Sequence, residues 1–340
     1  MNRQTVLAFD IGGANLKLAT SDGLSISRPF PLWKWPERLV GELQSMLELA
    51  PQCDMIAATM TGELADCFAT KREGVRHIVN ALCEAAGDCP VSIYLVDGSF
   101  VSPLIASEQP HLAAASNWHA LASYVAASIV PDRDAILVDI GSTTCDVIPL
   151  SQGRVATEYL TDTTRLLASE LLYMGVERTP VCSISATLPY RDEECPIARE
   201  MFATTLDIHL LTEDIPERPQ DTNTSDGRPA TRKHALSRLA RCICADDTEF
   251  TPSDGRAMAD FVAFEISEQL HDAIVSTARR HRFGRYPEIV LSGHGDFMLR
   301  RVLEKHDRVR LLRDSIGPEA SRCAPAFAVA QLAATAKANR

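Results

Sequence analysis

Val6-Leu7-Ala8-Phe9-Asp10-Ile11-Gly12-Gly13-Ala14-Asn15-Leu16-Lys17-Leu18-Ala19 decides how the rest of the chain is read. An apolar run of strand length ends in an aspartate, two glycines, a small residue and a polar one. A second apolar run, 16–20, follows. The pattern predicts a buried strand and its hairpin partner. Gly12 and Gly13 are expected to give the turn backbone conformations closed to other residues. With Ala14 and Asn15 they would aim amide N–H groups at an oxyanion. Asp10 would face a metal ion or its water shell, and Lys17 would reach back over the turn as a point charge.

The pattern recurs at Ala135-Ile136-Leu137-Val138-Asp139-Ile140-Gly141-Ser142-Thr143-Thr144-Cys145-Asp146-Val147-Ile148-Pro149. One copy is a weak signal, because Asp-x-Gly turns are common. Two copies, near the starts of successive segments, predict two similar α/β domains, 1–130 and 131–340, that offer phosphate loops to a shared cleft. Gly141, Ser142, Thr143 and Thr144 become phosphate-binding candidates, and Asp139 a second metal-facing carboxylate. The competing reading is a pair of ordinary hairpins with capped ends.

The length of 340 residues suits two domains. A net charge of −11 argues against nonspecific nucleic-acid binding while leaving room for a local basic patch. Ten cysteines contain no CxxC, and Cys242-x-Cys244 is too close for a normal bridge or a zinc knuckle. No apolar run reaches the roughly 20 residues that span a bilayer. No signal peptide is read ahead of the first strand. The expectation is a cytoplasmic protein with free thiols and no membrane partner.

Further along, 55–60 reads as a strand that ends in Thr61-Gly62-Glu63-Leu64. Polar residues at the end of a parallel strand face the cleft of an open α/β sheet, which makes Thr61 and Glu63 candidates. Glu63 fits the first turn of a helix equally well. Helices are predicted at 39–49, 72–86 and 254–281, and strands at 91–97, 181–184, 288–291 and 309–312. Residues 111–129 read as one buried helix crossing to the second domain and carrying Asn117, Trp118 and His119. His119 is either a satisfied core residue or a cleft group. Trp33 and Trp35 either line a substrate mouth or pack their loop. Asp162 is expected to N-cap a helix or to meet substrate. Residues 212–231 form a long polar loop inside the second domain. Arg228 near its end and Arg232, Lys233, Arg238 and Arg241 after it read as phosphate ligands or as a solvated helix face. A helix at 297–305 precedes a closing helix at 324–336, expected to pack back on the first domain.

The two Asp-Ile-Gly hairpins resemble the phosphate loops of the actin, sugar kinase and Hsp70 superfamily, and Ile289-Val290-Leu291-Ser292-Gly293-His294-Gly295-Asp296 resembles its third, nucleotide-abutting element. The resemblance implies two actin-like (ribonuclease H-like) domains, with Gly293 and His294 at the ligand. Within the superfamily the chain is similar to the hydantoinase/oxoprolinase-like family linked to tetrahydromethanopterin one-carbon transfer. That likeness rests on Thr59-Met60-Thr61-Gly62-Glu63-Leu64, Asn117-Trp118-His119-Ala120, Tyr173-Met174-Gly175-Val176-Glu177-Arg178-Thr179-Pro180 and Asp226-Gly227-Arg228-Pro229.

The loops and aspartates suit a polyphosphate with Mg²⁺ or a similar divalent cation. Two reaction classes fit: phosphoryl transfer or hydrolysis of ATP, and loss of diphosphate from a diphosphate ester followed by attack of a phenol. The family likeness implies the second, a transferase joining an aminomethylfuran-methyl diphosphate to the phenol of tyramine or its glutamyl form in methanofuran-type cofactor biosynthesis. In that reading Asp10, Lys17 and Asp139 serve the leaving group, Glu63 or His119 takes the phenol proton, and Thr61 and Asn117 meet substrate. Sugar kinases carry Gly-Gly at the adenine turn, whereas Ser292-Gly293-His294-Gly295 places a bulky side chain there, an obstacle to ATP. A kinase, an oxoprolinase-like ATP hydrolase and a nucleotide-gated scaffold stay as alternatives, and a homodimer is an open assembly.

Overall fold

The two apolar runs of the opening stretch pair as the periodicity requires. In the computed structural model, which describes residues 5–284, 287–303 and 308–338, β1 (Val6–Ile11) and β2 (Asn15–Thr20) are antiparallel neighbours. β3 (Ser25–Pro29) extends the sheet on one side. β4 (Met55–Met60), β5 (Val91–Tyr94) and β6 (Phe100–Val101) extend it on the other, in the order β3-β2-β1-β4-β5-β6. β1, β4 and β5 are parallel. Every residue of β1 is buried, as expected for a strand covered on both faces.

The second Asp-Ile-Gly stretch repeats this plan. β7 (Ala135–Ile140) pairs antiparallel with β8 (Cys145–Ser151), and the short β9 (Arg154–Val155) and β10 (Leu171–Leu172) both pair with β8. β11 (Thr187–Tyr190) and β12 (Glu193–Pro196) form a separate hairpin. β13 (Glu288–Gly293) and β14 (Val309–Leu311) then complete the order β10-β8-β7-β13-β14, parallel to β7. The order hairpin partner, first strand, then two parallel strands is common to both sheets. The architecture is therefore two actin-like α/β units.

The closing helix Ala324–Ala338 belongs to the second half of the sequence but lies on the first sheet. Val329, Ala330 and Ala333 pack with Val6, Ala8, Ala57 and Ala120. Small side chains on both sides allow close approach of helix and sheet. A Thr251–Asp254 capping box opens the long helix Pro252–Arg280, whose buried face forms much of the second core.

Several local expectations give way to tertiary contacts. Residues 111–129 are two helices, Pro110–Ala113 and Asn117–Ser128, separated where Ala115 adopts φ 47°. The buried Ser116 hydroxyl holds the break by meeting Thr59 Oγ1 at 2.7 Å and the Tyr94 carbonyl at 3.0 Å. The strand at 91–97 stops at Tyr94, because Leu95 and Gly98 close a turn with Ser99. Residues Val181–Ser183 form a 3₁₀ turn instead of a strand, with the Ser183 N–H and hydroxyl both donating to the Pro180 carbonyl. The helix at 297–305 begins as a 3₁₀ turn, Asp296–Leu299, and continues as Arg300–Leu303. Its expected end at 304–305 lies outside the described residues, as do residues 1–4 ahead of the first strand.

Gly175 shows how tightly the second hairpin is backed. A Cβ there would lie 2.5 Å from the Thr143 amide nitrogen and 2.7 Å from the Gly141 carbonyl oxygen. We expect Gly175→Ala to lower stability by about 1–3 kcal/mol in thermal melts, because backbone is the obstacle. Gly41→Ala, within the helix Leu39–Leu47 and facing open space, is expected to raise it by about 0.4–1 kcal/mol. Equal melting temperatures for the two variants would refute this reading of the packing.

Candidate active site

The first hairpin delivers an ion pair between a buried aspartate and a half-buried lysine. The β1–β2 register sets Lys17 opposite Asp10, with Nζ 3.6 Å from Oδ2. Asp10 is only 4% exposed, and its Oδ1 has no hydrogen-bond partner among the described residues. Burial raises the Asp10 carboxyl above the usual carboxylate range against the pull of Lys17. Burial works against the Lys17 ammonium, yet Asp10 and Asp139 together hold it above an ordinary lysine. One cation thus serves both strand-end aspartates.

The turns are wired so that acceptors are used and donors are spare. In the first, the Gly13 and Ala14 carbonyls accept from the Leu32 and Phe30 amides, each at 2.9 Å. In the second, the Gly141 carbonyl accepts from Val176, and the Ser142 carbonyl from Glu177 and Arg178. No described group accepts from the N–H of Gly13, Ala14, Ser142 or Thr143. Clusters of free amide donors are a natural anion cradle. The expected left-handed glycine geometry is absent: neither Gly12 nor Gly13 has positive φ. Space explains Gly12 instead, since a Cβ would lie 2.8 Å from the Asn15 carbonyl oxygen.

The second hairpin differs in charge. Its register sets Asp146, not a lysine, opposite Asp139. Arg165 answers from the helix Asp162–Leu167, 2.8 Å from Asp146 and 1% exposed. Its guanidinium also donates to the Glu170 carbonyl and lies 4.0 Å over the ring centre of Trp118. Burial raises the Asp146 carboxyl to about 6, with Arg165 pulling it down.

Both hairpins open on one cavity of about 400 Å³. Thr61, Asn117 and Glu63 line it, together with the residues of both turns. Glu63 is not in the first turn of a helix. Residues 61–70 are turns and bends, and the next helix, Lys71–Ala86, the one expected at 72–86, is capped by Thr70. Its Gly74 sits so close to the Glu63 backbone that a Cβ would lie 2.2 Å from the Glu63 carbonyl oxygen. Glu63 is 1% exposed, Oε2 has no described partner, and burial lifts the carboxyl to about 7. Asp162 also lines the cavity; the N-cap role expected of it belongs to Thr161, in a capping box with Thr164.

Other expected site residues lie elsewhere. His119 does not line the cavity: the break before Asn117 turns Asn117 and Trp118 toward the cleft, while the His119 ring meets the Tyr94 hydroxyl at 2.9 Å. Burial lowers its pKa to about 4, so the ring is neutral. Arg228 and Arg232 are exposed and also outside the cavity. Three of the five basic residues are engaged within their own lobe, because Asp226 draws in Arg228, Arg238 and Arg241 at 3.8, 3.0 and 3.7 Å. Arg238 is fully buried and donates to Asp207 at 2.8 Å. Gly293 and His294 do not line the cavity either; the His294 amide is tied to the Ile140 carbonyl, and its side chain is exposed.

The residues missed are Asp146, Arg165, Trp118, Arg178, Trp33 as an Arg partner, and Tyr173 at the rim. Asp146 was countable, since it stands from Asp139 as Lys17 stands from Asp10. Arg165 carries no local signal, whereas Tyr173 and Arg178 stand in the stretch 173–180 that carries the family likeness but are given no role there.

Six carboxylates, Asp10, Glu63, Asp66, Asp139, Asp146 and Asp162, line the cavity against three cations, Lys17, Arg165 and Arg178. The unpartnered Asp10 Oδ1 and the nearby Asp139 suit a divalent cation such as Mg²⁺, which takes one or two carboxylates and completes its shell with water and phosphate oxygens. Among the described residues no three His, Cys, Asp or Glu side chains are grouped to hold a metal by themselves.

The whole chain is similar in fold to nucleotide-free acetone carboxylase, with a TM-score of 0.53 at 11% identity over 96% of this chain and 70% of that one. In sequence it is 33% identical over 330 residues to a (4-{4-[2-(γ-L-glutamylamino)ethyl]phenoxymethyl}furan-2-yl)methanamine synthase of Methanocaldococcus jannaschii, covering 96% of this chain and 97% of that protein. It is 31% identical over 208 residues to the synthase of the same name from Methanococcus vannielii, covering 59% of this chain and 91% of the relative. The hydantoinase/oxoprolinase family profile matches residues 54–336, and the chain belongs to that family.

Proposed function

We propose that this chain is a transferase that joins a (5-aminomethylfuran-3-yl)methyl diphosphate to the phenol of tyramine or γ-glutamyltyramine and releases diphosphate. The product would enter a methanofuran-type cofactor for tetrahydromethanopterin-linked one-carbon transfer. Ten free thiols suit work in a reducing cytoplasm. The observation that carries the proposal is the pair of phosphate turns facing one carboxylate-lined cavity, in a chain similar along nearly its whole length to a synthase whose named product is a phenoxymethylfuran. Such a product contains an aryl–O–CH₂–furan ether, the bond that this reaction makes.

In the proposed reaction the bond between the furan CH₂ carbon and the diphosphate oxygen breaks. The electron-rich ring stabilises the positive charge on that carbon. The phenol oxygen attacks it, the ether forms, and the phenol proton passes to a carboxylate. The free N–H groups of the two turns and Lys17 would hold the leaving diphosphate, where donors in place before reaction are most effective. Mg²⁺ held by Asp10 and Asp139 would offset charge on the diphosphate oxygens. Glu63, with a carboxyl near 7, is the group best suited to take the proton. His119 drops out because its ring is engaged away from the cavity.

The test is mass spectrometry of reactions holding Mg²⁺, the furan diphosphate and either phenolic amine, with ATP omitted. An ether product with released diphosphate is expected. Absence of product with both acceptors, and Mg-dependent ATP consumption instead, would replace the proposal with ATP chemistry. Asp10→Asn and Asp139→Asn are expected to lower kcat by about 100-fold or more, the scale of losing charge stabilisation at a leaving group. Arg228→Ala and Arg232→Ala are expected to leave kcat/KM within about twofold, as exposed charges outside the cavity.

Glu63 gives a pH signature. Acting as a base, it must be ionised, so kcat/KM should rise with pH through about 7 and level off above it. Its pKa is raised by folding, so its contribution to stability is fully present below the unfolded carboxyl pKa and falls as pH rises to about 7. Glu63→Gln should therefore lose the acidic limb, lower kcat on the order of 100-fold, and melt at temperatures less sensitive to pH between 5 and 8. An unchanged pH–rate profile in Glu63→Gln would remove Glu63 from the reaction.

A further inference from the structure

Of the three cations that line the cavity, two are already committed. Lys17 is paired with Asp10 at 3.6 Å, and Arg165 with Asp146 at 2.8 Å. Arg178 forms no ion pair with any described residue, and the adjacent carboxylate, Glu177, is taken by Arg218 at 3.0 Å. The Arg178 guanidinium instead lies 5.0 Å over the ring centre of Trp33.

The backbone on each side of that stack is tied to a phosphate turn. The Arg178 amide donates to the Ser142 carbonyl of the second turn at 3.2 Å. Leu32, beside Trp33, donates its amide to the Gly13 carbonyl of the first turn at 2.9 Å. Trp33 comes from the first lobe and Arg178 from the second, so the stack bridges the lobes at the cavity. A guanidinium lying on an indole keeps its in-plane N–H donors free, and that planar fork matches two phosphate oxygens. In a cavity where carboxylates outnumber cations, an uncommitted arginine is what an incoming polyanion needs.

We propose that Arg178, presented by Trp33, is the arginine that binds the terminal phosphate oxygens of the substrate diphosphate. It takes the part that the sequence suggests for Arg228 and Arg232. The inference rests on the polyphosphate reading of the cavity. It makes Trp33 a positioning residue, which acts through the arginine and does not itself meet the phosphate.

The experiment is calorimetric titration of the full chain with inorganic diphosphate and Mg²⁺, alongside melting curves. Arg178→Ala should weaken binding by about 10- to 100-fold, the range for a lost charged hydrogen-bond donor, with an unchanged melting temperature and a shallower dependence on salt. Trp33→Leu should weaken it less, and Arg178→Lys should recover part of the affinity. Full affinity in a folded Arg178→Ala protein would overturn the proposal while leaving the cavity a polyphosphate site. No binding of diphosphate by the wild type would sink the underlying reading, and this inference with it. A loss confined to parallel titrations with Mg-ATP would keep Arg178 as an anion ligand but overturn diphosphate as its partner.

Discussion

Asp10 holds its charge out of water at the meeting point of two sheets, with the half-buried Lys17 and Asp139 beside it, and much of the surrounding structure follows from that. A buried charge without a partner costs several kcal/mol, so groups of this kind persist only where their surroundings fix them firmly. Here they sit at the ends of fully formed strands, with their backbones locked by ladders on both sides. Lys17 pairs with Asp10 and feels the charge of Asp139, and the second oxygen of Asp10 is left without a partner among the described residues. The arrangement suits a site where a divalent cation and a polyanion arrive together, since each supplies what the other and the protein lack.

Around this centre the duplication is not symmetric. Both halves use the same hairpin, but the position across from the aspartate is Lys17 in one and Asp146 in the other. The second half brings its cation from outside the hairpin, in Arg165, and seats it on Trp118 of the first half. Arg178 on Trp33 repeats the device across the same two lobes. A planar cation on an aromatic face keeps donors free at its edge. Two such stacks join lobes that the closing helix already ties together through small side chains. The cavity is therefore walled by contacts between the lobes, which neither lobe supplies alone.

Much of the fold was legible because the strands are buried on both faces and read as continuous apolar runs; Val6–Ile11 and Ala135–Ile140 are plain in the sequence. The breaks were not. Residues 111–129 have unbroken helical composition, and only the Ser116 hydroxyl, held between Thr59 and Tyr94, divides them. That division decides which of Asn117, Trp118 and His119 reach the cavity. The arginines after the polar loop looked like phosphate ligands because sequence gives charge without its partner. Asp207 and Asp226 had already claimed Arg238, and Asp226 drew in two more.

The sequence by itself determined the paired Asp-Ile-Gly turns, the strand-end aspartates and the lysine opposite the first of them, because all of these lie within single hairpins whose register is set by a period of two and a short turn. The tertiary structure alone decided which charges remain available. Arg165 and Arg178 reach the cavity, Arg228 and Arg232 do not, and Glu63 loses its water to the helix packed against its backbone. Availability depends on what else lies within a few ångströms, and those neighbours come from segments far apart in the chain.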